Sequence, residues 1–179
     1  MLNEPLPAEA DIRKLAVKQA KFSNCFAVSH LSRFAAATEQ NDAKVSVEFE
    51  FGLDEQRRYQ LLGKVSCSTL VICQRCLETM PLALECNVNI VVVYDDIQAK
   101  QLPKNIEPLV VADGEVIDLN EIVEDELLLN MPFTNFHQNE HCYARSQQFN
   151  DPSQPNDSTA DVGQSDNPFS VLQALKDDD

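Results

Sequence analysis

The chain has 179 residues, enough for one domain with its own core and too few for two substantial ones. It is 44% hydrophobic and carries a formal net charge of −15, which excludes a general nucleic-acid-coating protein, because phosphate contact draws on an excess of Lys and Arg. The acidity is uneven: residues 1–100 hold 11 Lys/Arg against 13 Asp/Glu, and residues 101–179 hold 3 against 16.

From the N-terminus, residues 8–21 have helical spacing, with Ile12, Leu15, Ala16, Gln19 and Phe22 on one stripe and Arg13, Lys14, Lys18 and Lys21 on the other. Between Ile12 and Arg33 there are five basic residues and no acidic one. That basic face is either a solvated helix surface or a phosphate-facing patch that contacts RNA. A second helix is expected over 28–37, with Leu31, Phe34 and Ala35 inward and His30 without a site around it.

Strict alternation of Val45, Val47, Phe49 and Phe51 with Ser46, Glu48 and Glu50 predicts a half-buried strand. Two longer strands follow, Tyr59 to Ile72 and Met80 to Tyr94, and both put a cysteine, Cys67 or Cys86, in the apolar register where a small buried side chain belongs. Three strands with short connections predict an antiparallel meander with one packed and one wet face. A loop is expected over 95–107 and a short strand at 109–111. The clearest helix starts at Asp118, with Glu121 completing a capping box and Leu119, Ile122, Val123 and Leu127 as its buried stripe, and it ends before Pro132. Glu121, Glu124 and Asp125 make its other face acidic, a surface suited to a basic partner protein rather than to acid/base catalysis.

The one place where the sequence declares a chemistry is Cys73-Gln-Arg-Cys76, between the two long strands at a hairpin tip. Two thiols there are either half of a metal knuckle or a redox pair. A redox pair is expected at a helix N-terminus, and no helix starts here, so dithiol catalysis is disfavoured. His137, His141 and Cys142 form a second group of potential ligands, and zinc held by these residues with Cys73 and Cys76 stands beside the alternative of two reduced thiols in a tight turn. With four glycines there is no phosphate-binding loop, nor is there a nucleophile turn, so no catalytic residue is assigned and no enzyme is expected.

Residues 146–166, rich in Gln, Asn, Asp, Ser and Pro, predict a flexible acidic and polar linker after a single α+β domain over 1–145. Beyond it, Asn167-Pro168 caps a short helix in which Phe169, Leu172 and Leu175 form an apolar docking face, followed by an acidic tail to residue 179. No apolar run reaches the roughly 18–20 residues of a membrane span, and Met1-Leu-Asn-Glu-Pro lacks the regions of an export signal. The chain is therefore expected in the cytoplasm, with its six cysteines as thiols or metal ligands.

The segment Cys73-Gln-Arg-Cys76-Leu-Glu, the run from Ile117-Asp-Leu through Val123-Glu-Asp-Glu-Leu to Met131-Pro132, the His141-Cys142 pair and the terminal Asn167-Pro-Phe-Ser-Val-Leu-Gln-Ala-Leu-Lys176 together resemble the bacterial YceD family of large ribosomal RNA subunit accumulation proteins. The order of the motifs is kept over nearly the whole chain. The resemblance implies a cytoplasmic, non-enzymatic factor for synthesis, processing or stability of 23S rRNA. Its partner would be a ribosomal RNA precursor or a large-subunit ribosomal protein, with neither DNA nor membrane involved. A zinc-knuckle adaptor on a basic ribosomal protein, or a Cys-x-x-Cys redox or metal protein, is the alternative.

Overall fold

The computed structural model describes residues 6–138 and Cys142. The linker expected over 146–166 and the terminal helix carrying Phe169, Leu172 and Leu175 lie outside the described residues, as does His141. Among the described residues no helix is long and apolar enough to cross a membrane.

Helix α1 (Ile12–Val17) starts at Asp11, whose carboxylate accepts the Lys14 N–H as an N-cap. It stops early. Gln19 turns to φ 49°, Gln19 N donates to Ala16 O and Ala20 N to Leu15 O, which is a Schellman ending with glutamine where glycine is usual. The helix expected over 8–21 is therefore confined to 12–17, and strand β1 (Lys21–Ala27), which the periodicity did not announce, follows it. Ile12 and Ala16 still face the core, and Phe22 reaches it from the strand. The second expected helix is divided into a 3₁₀ turn (Val28–His30) and α2 (Ser32–Ala36).

The meander is present as β2 (Lys44–Leu53), β3 (Tyr59–Ile72) and β4 (Thr79–Val93). The expected loop after it holds a one-turn helix, α3 (Asp96–Lys100), capped by Asp95. Then comes β5 (Glu107–Val110). Helix α4 (Leu119–Asn130) begins at Asp118, whose carboxylate takes the N–H of Asn120. The bond expected to Glu121 is thus replaced by one a residue earlier. Met131 is held extended before Pro132, as the residue before a proline prefers, and the helix ends there.

The five strands stand in the order β1-β2-β3-β4-β5, antiparallel through β4 with β5 parallel to it, so the fold is α+β. The register lines Val47, Val65 and Cys86 across one face, where α1 packs on β2 and β3 and α4 packs on β3 and β4. Phe49, Leu61, Val65, Leu119 and Leu127 are fully enclosed between these layers, and burial of that kind is the main source of stability. Gly63 faces Phe49 across the β2–β3 pair, and a Cβ there would collide with the Phe49 ring and stand 2.6 Å from Glu48 O.

Glu124 does not join the solvated acidic face expected of α4: it is buried. Its Oε1 accepts the N–H groups of Arg33 (2.6 Å) and Phe34 (3.1 Å), and its Oε2 accepts from Arg33 Nε at 2.8 Å. Helix α2 has no cap of its own at Leu31, so a carboxylate from α4 satisfies its open N-terminus.

Pairing of β2 with β3 stops at Cys67, whereas β3 and β4 stay paired to Ile72 and Thr79. From Ser68 to Ala83 the sheet is a two-stranded arm, held sideways by Glu39 N donating to Leu70 O. A two-stranded ribbon is marginal by itself in water. Its tip is the Cys73–Cys76 turn.

Candidate metal centre

At the tip, Cys73 N donates to Glu78 O and Leu77 N to Cys73 O, closing the turn, and Leu77 takes φ 62° to complete it. The chain after α4 returns to this turn: Gln74 N donates to Asn135 O at 2.8 Å. That bond brings His137 and Cys142 to the two hairpin cysteines.

The ligand atoms of Cys73, Cys76, His137 and Cys142 all lie within 4.8 Å of one another. Cys73 Sγ and Cys142 Sγ are 3.6 Å apart, and Cys76 Sγ is 3.3 Å from His137 Nδ1. Four donors around one tetrahedral ion, with sulfur at about 2.3 Å and imidazole nitrogen at about 2.0 Å, stand about 3.5–3.8 Å apart. The observed spacing fits that arrangement, so the cluster can hold a metal ion. The three cysteines are buried, and Met80 packs against them.

Burial alone would raise the Cys73 thiol, but backbone N–H groups of Cys76, Arg75 and His137, with the Cys76 side chain, outweigh it and hold Cys73 down to about 5. Cys142 moves the other way, raised by burial and by the neighbouring Cys73 and Cys76. Several thiols crowded in this way repel as thiolates, a cost that a cation at their centre removes. Cys67 and Cys86 are different in kind: burial raises each to about 11, and they sit in the core as small apolar side chains, as their register predicts.

Sequence reasoning overlooked the support around the cluster. Arg75 lays its guanidinium 4.6 Å from the centre of the Phe136 ring and points Nη1 at Cys142 Sγ, 3.9 Å away. The only signal for this was its place between the two hairpin cysteines.

The four basic residues of the α1 region are scattered in role. Arg13 donates to the carbonyls of Val111 (2.6 Å) and Ala112 (2.7 Å) and stacks on Tyr94, tying α1 to the segment after β5. Lys14 pairs with Asp11 at 3.0 Å and Lys21 with Glu50 at 2.6 Å. The ammonium of Lys18 is exposed and has no such partner among the described residues. On α4, Asp125 pairs with Arg33 at 2.8 Å while Glu121 faces solvent.

The model of the YceD family, described as the large ribosomal RNA subunit accumulation protein, matches residues 61–176. A protein of Haemophilus influenzae named large ribosomal RNA subunit accumulation protein YceD is 32% identical over 171 residues, which are 96% of this chain and 96% of the relative. No solved structure matches the chain.

Proposed function

The chain belongs to the YceD family of large ribosomal RNA subunit accumulation proteins, and from that premise we propose that it is a non-enzymatic cytoplasmic factor for synthesis, processing or stability of 23S rRNA. The observation that carries the reading is likeness to the Haemophilus influenzae protein over nearly the full length of both chains. Its direct partner is a ribosomal RNA precursor, approached through Lys14, Lys18 and Lys21, whose cationic heads reach solvent. Arg13 serves that face from behind, because its guanidinium is engaged with backbone carbonyls. Glu121 and Asp125 are the positions through which α4 would meet a basic ribosomal protein, whereas Glu124 is committed to α2.

The metal of the cluster is zinc. Three thiolates and one imidazole are a soft, four-ligand set, and with every position taken by protein and the sulfurs buried, the ion is structural. When bound it supplies a cross-link between the hairpin tip and the chain after α4. That cross-link holds the two-stranded arm in one orientation.

The test is deletion of the gene followed by measurement of the ratio of large- to small-subunit rRNA. The ratio is expected to fall and to recover with the wild-type copy, and an unchanged ratio would overturn the reading. A Cys73→Ser/Cys76→Ser copy is expected to restore the ratio only in part, because the arm loses its anchor.

A further inference from the structure

A hollow of about 470 Å³ lies between the β2–β3 turn, the end of β4 and α3. It is lined by Val92, Val93, Tyr59, Tyr94, Gln98, Gln101, Arg57 and Arg58, the Arg58 guanidinium being paired with Asp54 at 2.6 Å. In a chain of net charge −15, no acidic residue among the described residues lines it. Tyr59 is shared with a second hollow of about 420 Å³, bordered by Lys14 and Lys18 of α1. Arg57 at the first hollow and Lys14 and Lys18 at the second supply the cationic groups, although Lys14 is paired with Asp11 and Asp113 also borders the second.

Each feature suits one ligand chemistry. A planar ring with donors and acceptors on its edge stacks on tyrosine and hydrogen-bonds to primary amides, and its attached phosphate is met by Arg or Lys. Tyr94 is more than half exposed, and the Arg13 guanidinium lies 4.6 Å from its ring centre, holding the ring in place from α1. Gln98 uses its carbonyl oxygen to accept the Tyr94 N–H at 3.1 Å, which leaves its amide NH₂ to a ligand. Arg57 is exposed, and its φ of 61° closes the hairpin turn in which its N–H donates to Asp54 O at 2.9 Å. We propose that this hollow takes an unpaired base of single-stranded RNA, between Tyr59, Tyr94 and the amides of Gln98 and Gln101, with Arg57, Lys14 and Lys18 on the flanking phosphates. This rests on the rRNA reading and names the form in which the RNA is bound. A base inside a duplex is already stacked and paired, so duplex RNA is not a ligand.

The test uses the full chain and fluorescein-labelled eight-nucleotide homopolymers of adenylate and uridylate, against a labelled duplex, by fluorescence anisotropy at several salt concentrations. The single strand is expected to bind at least tenfold tighter than the duplex. Tyr94→Ala should weaken single-strand binding about tenfold, the usual loss of one stacked base. Arg57→Gly should weaken it several-fold without loss of folding, because glycine accepts φ 61° freely. Lys14→Glu/Lys18→Glu should flatten the salt dependence. Wild-type affinity in both Tyr94→Ala and Arg57→Gly, equal binding of single strand and duplex, or no binding of the single strand at low salt would each overturn the proposal. In cells, a normal rRNA ratio with Arg57→Gly/Tyr94→Ala beside a lowered ratio in the deletion strain overturns this site and leaves the family reading standing. A normal ratio in the deletion strain overturns the family reading, and the anisotropy result then decides the site by itself.

Discussion

Cys73 Sγ and Cys142 Sγ meet at 3.6 Å although 69 positions separate them in the chain. Between them the chain completes β4, β5 and α4 before it returns to the hairpin tip. The contact therefore joins the far end of a two-stranded arm to the last described part of the fold. A metal at this point stabilises the arm by linkage, since it binds the folded cluster and not the open chain.

Removal of the metal should accordingly act on one region. With free zinc 100- to 1,000-fold above its Kd, binding contributes about 3–4 kcal/mol, and for a chain of this size that is roughly 6–16 °C in Tm. Chelation is expected to lower Tm by that amount. It should also speed hydrogen exchange of amides in Ser68–Ala83 far more than in Val45–Val65, and uniform acceleration would argue against a local staple.

Glu124 should be worth more than any other acidic residue of α4. Glu124→Ala leaves two N–H groups of α2 without an acceptor and removes one of the two carboxylates on Arg33, at an expected cost of about 2–3 kcal/mol in urea unfolding. Asp125→Ala breaks only an exposed pair and should cost less than about 1 kcal/mol. Hydrogen bonds and the Arg33 charge hold the Glu124 carboxyl below the usual carboxylate range despite its burial. Its stabilising effect is present above the ordinary Glu value and is lost as pH falls through the lowered one.

Gly63→Ala tests the packing of β2 on β3. The added methyl meets the Phe49 ring and the Glu48 carbonyl, so one of the largest buried side chains must move. The expected loss is about 1–3 kcal/mol, with Tm falling accordingly. Phe49→Leu/Gly63→Ala should recover part of it, and the absence of coupling in this double-mutant cycle would contradict the assigned contact.

Glu126 gives a pH dependence of opposite sign to Glu124. Burial, with Glu107 beside it, raises its carboxyl to about 7. The folded state then holds a proton that the unfolded state has released, so stability falls as pH rises from about 4.5 to 7. Glu126→Gln should abolish that slope and leave the protein more stable than wild type at pH 8, by about 1–3 kcal/mol in urea melts.

What was legible in the sequence followed from periodicity. The alternation of Val45, Val47, Phe49 and Phe51 and of the two longer strands gave the meander within a residue or two, because one-sided burial imposes period two. Strand β1 was hidden because α1 ends on Gln19 in a left-handed conformation, where glycine would have marked the stop. Helix α3 is one turn long and carries no buried residue, so it left no apolar pattern to find. The inward turn of Glu124 depends on the uncapped start of α2, some ninety positions away, which no local pattern on α4 records. At the cluster, Cys73 and Cys76 were evident from their spacing alone. The meeting of Cys142 and His137 with them needed the return of the chain after α4, and the sequence offered only a second group of the right residue types.

The measurement that tests the account most directly is the metal content of the full chain, purified without chelator, by inductively coupled plasma mass spectrometry beside the same measurement on Cys73→Ser/Cys142→Ser. One zinc per chain in the first and none in the second is the predicted result. A native chain that holds no metal and takes up none from equimolar zinc, with Cys73, Cys76 and Cys142 all open to thiol reagents, would contradict it.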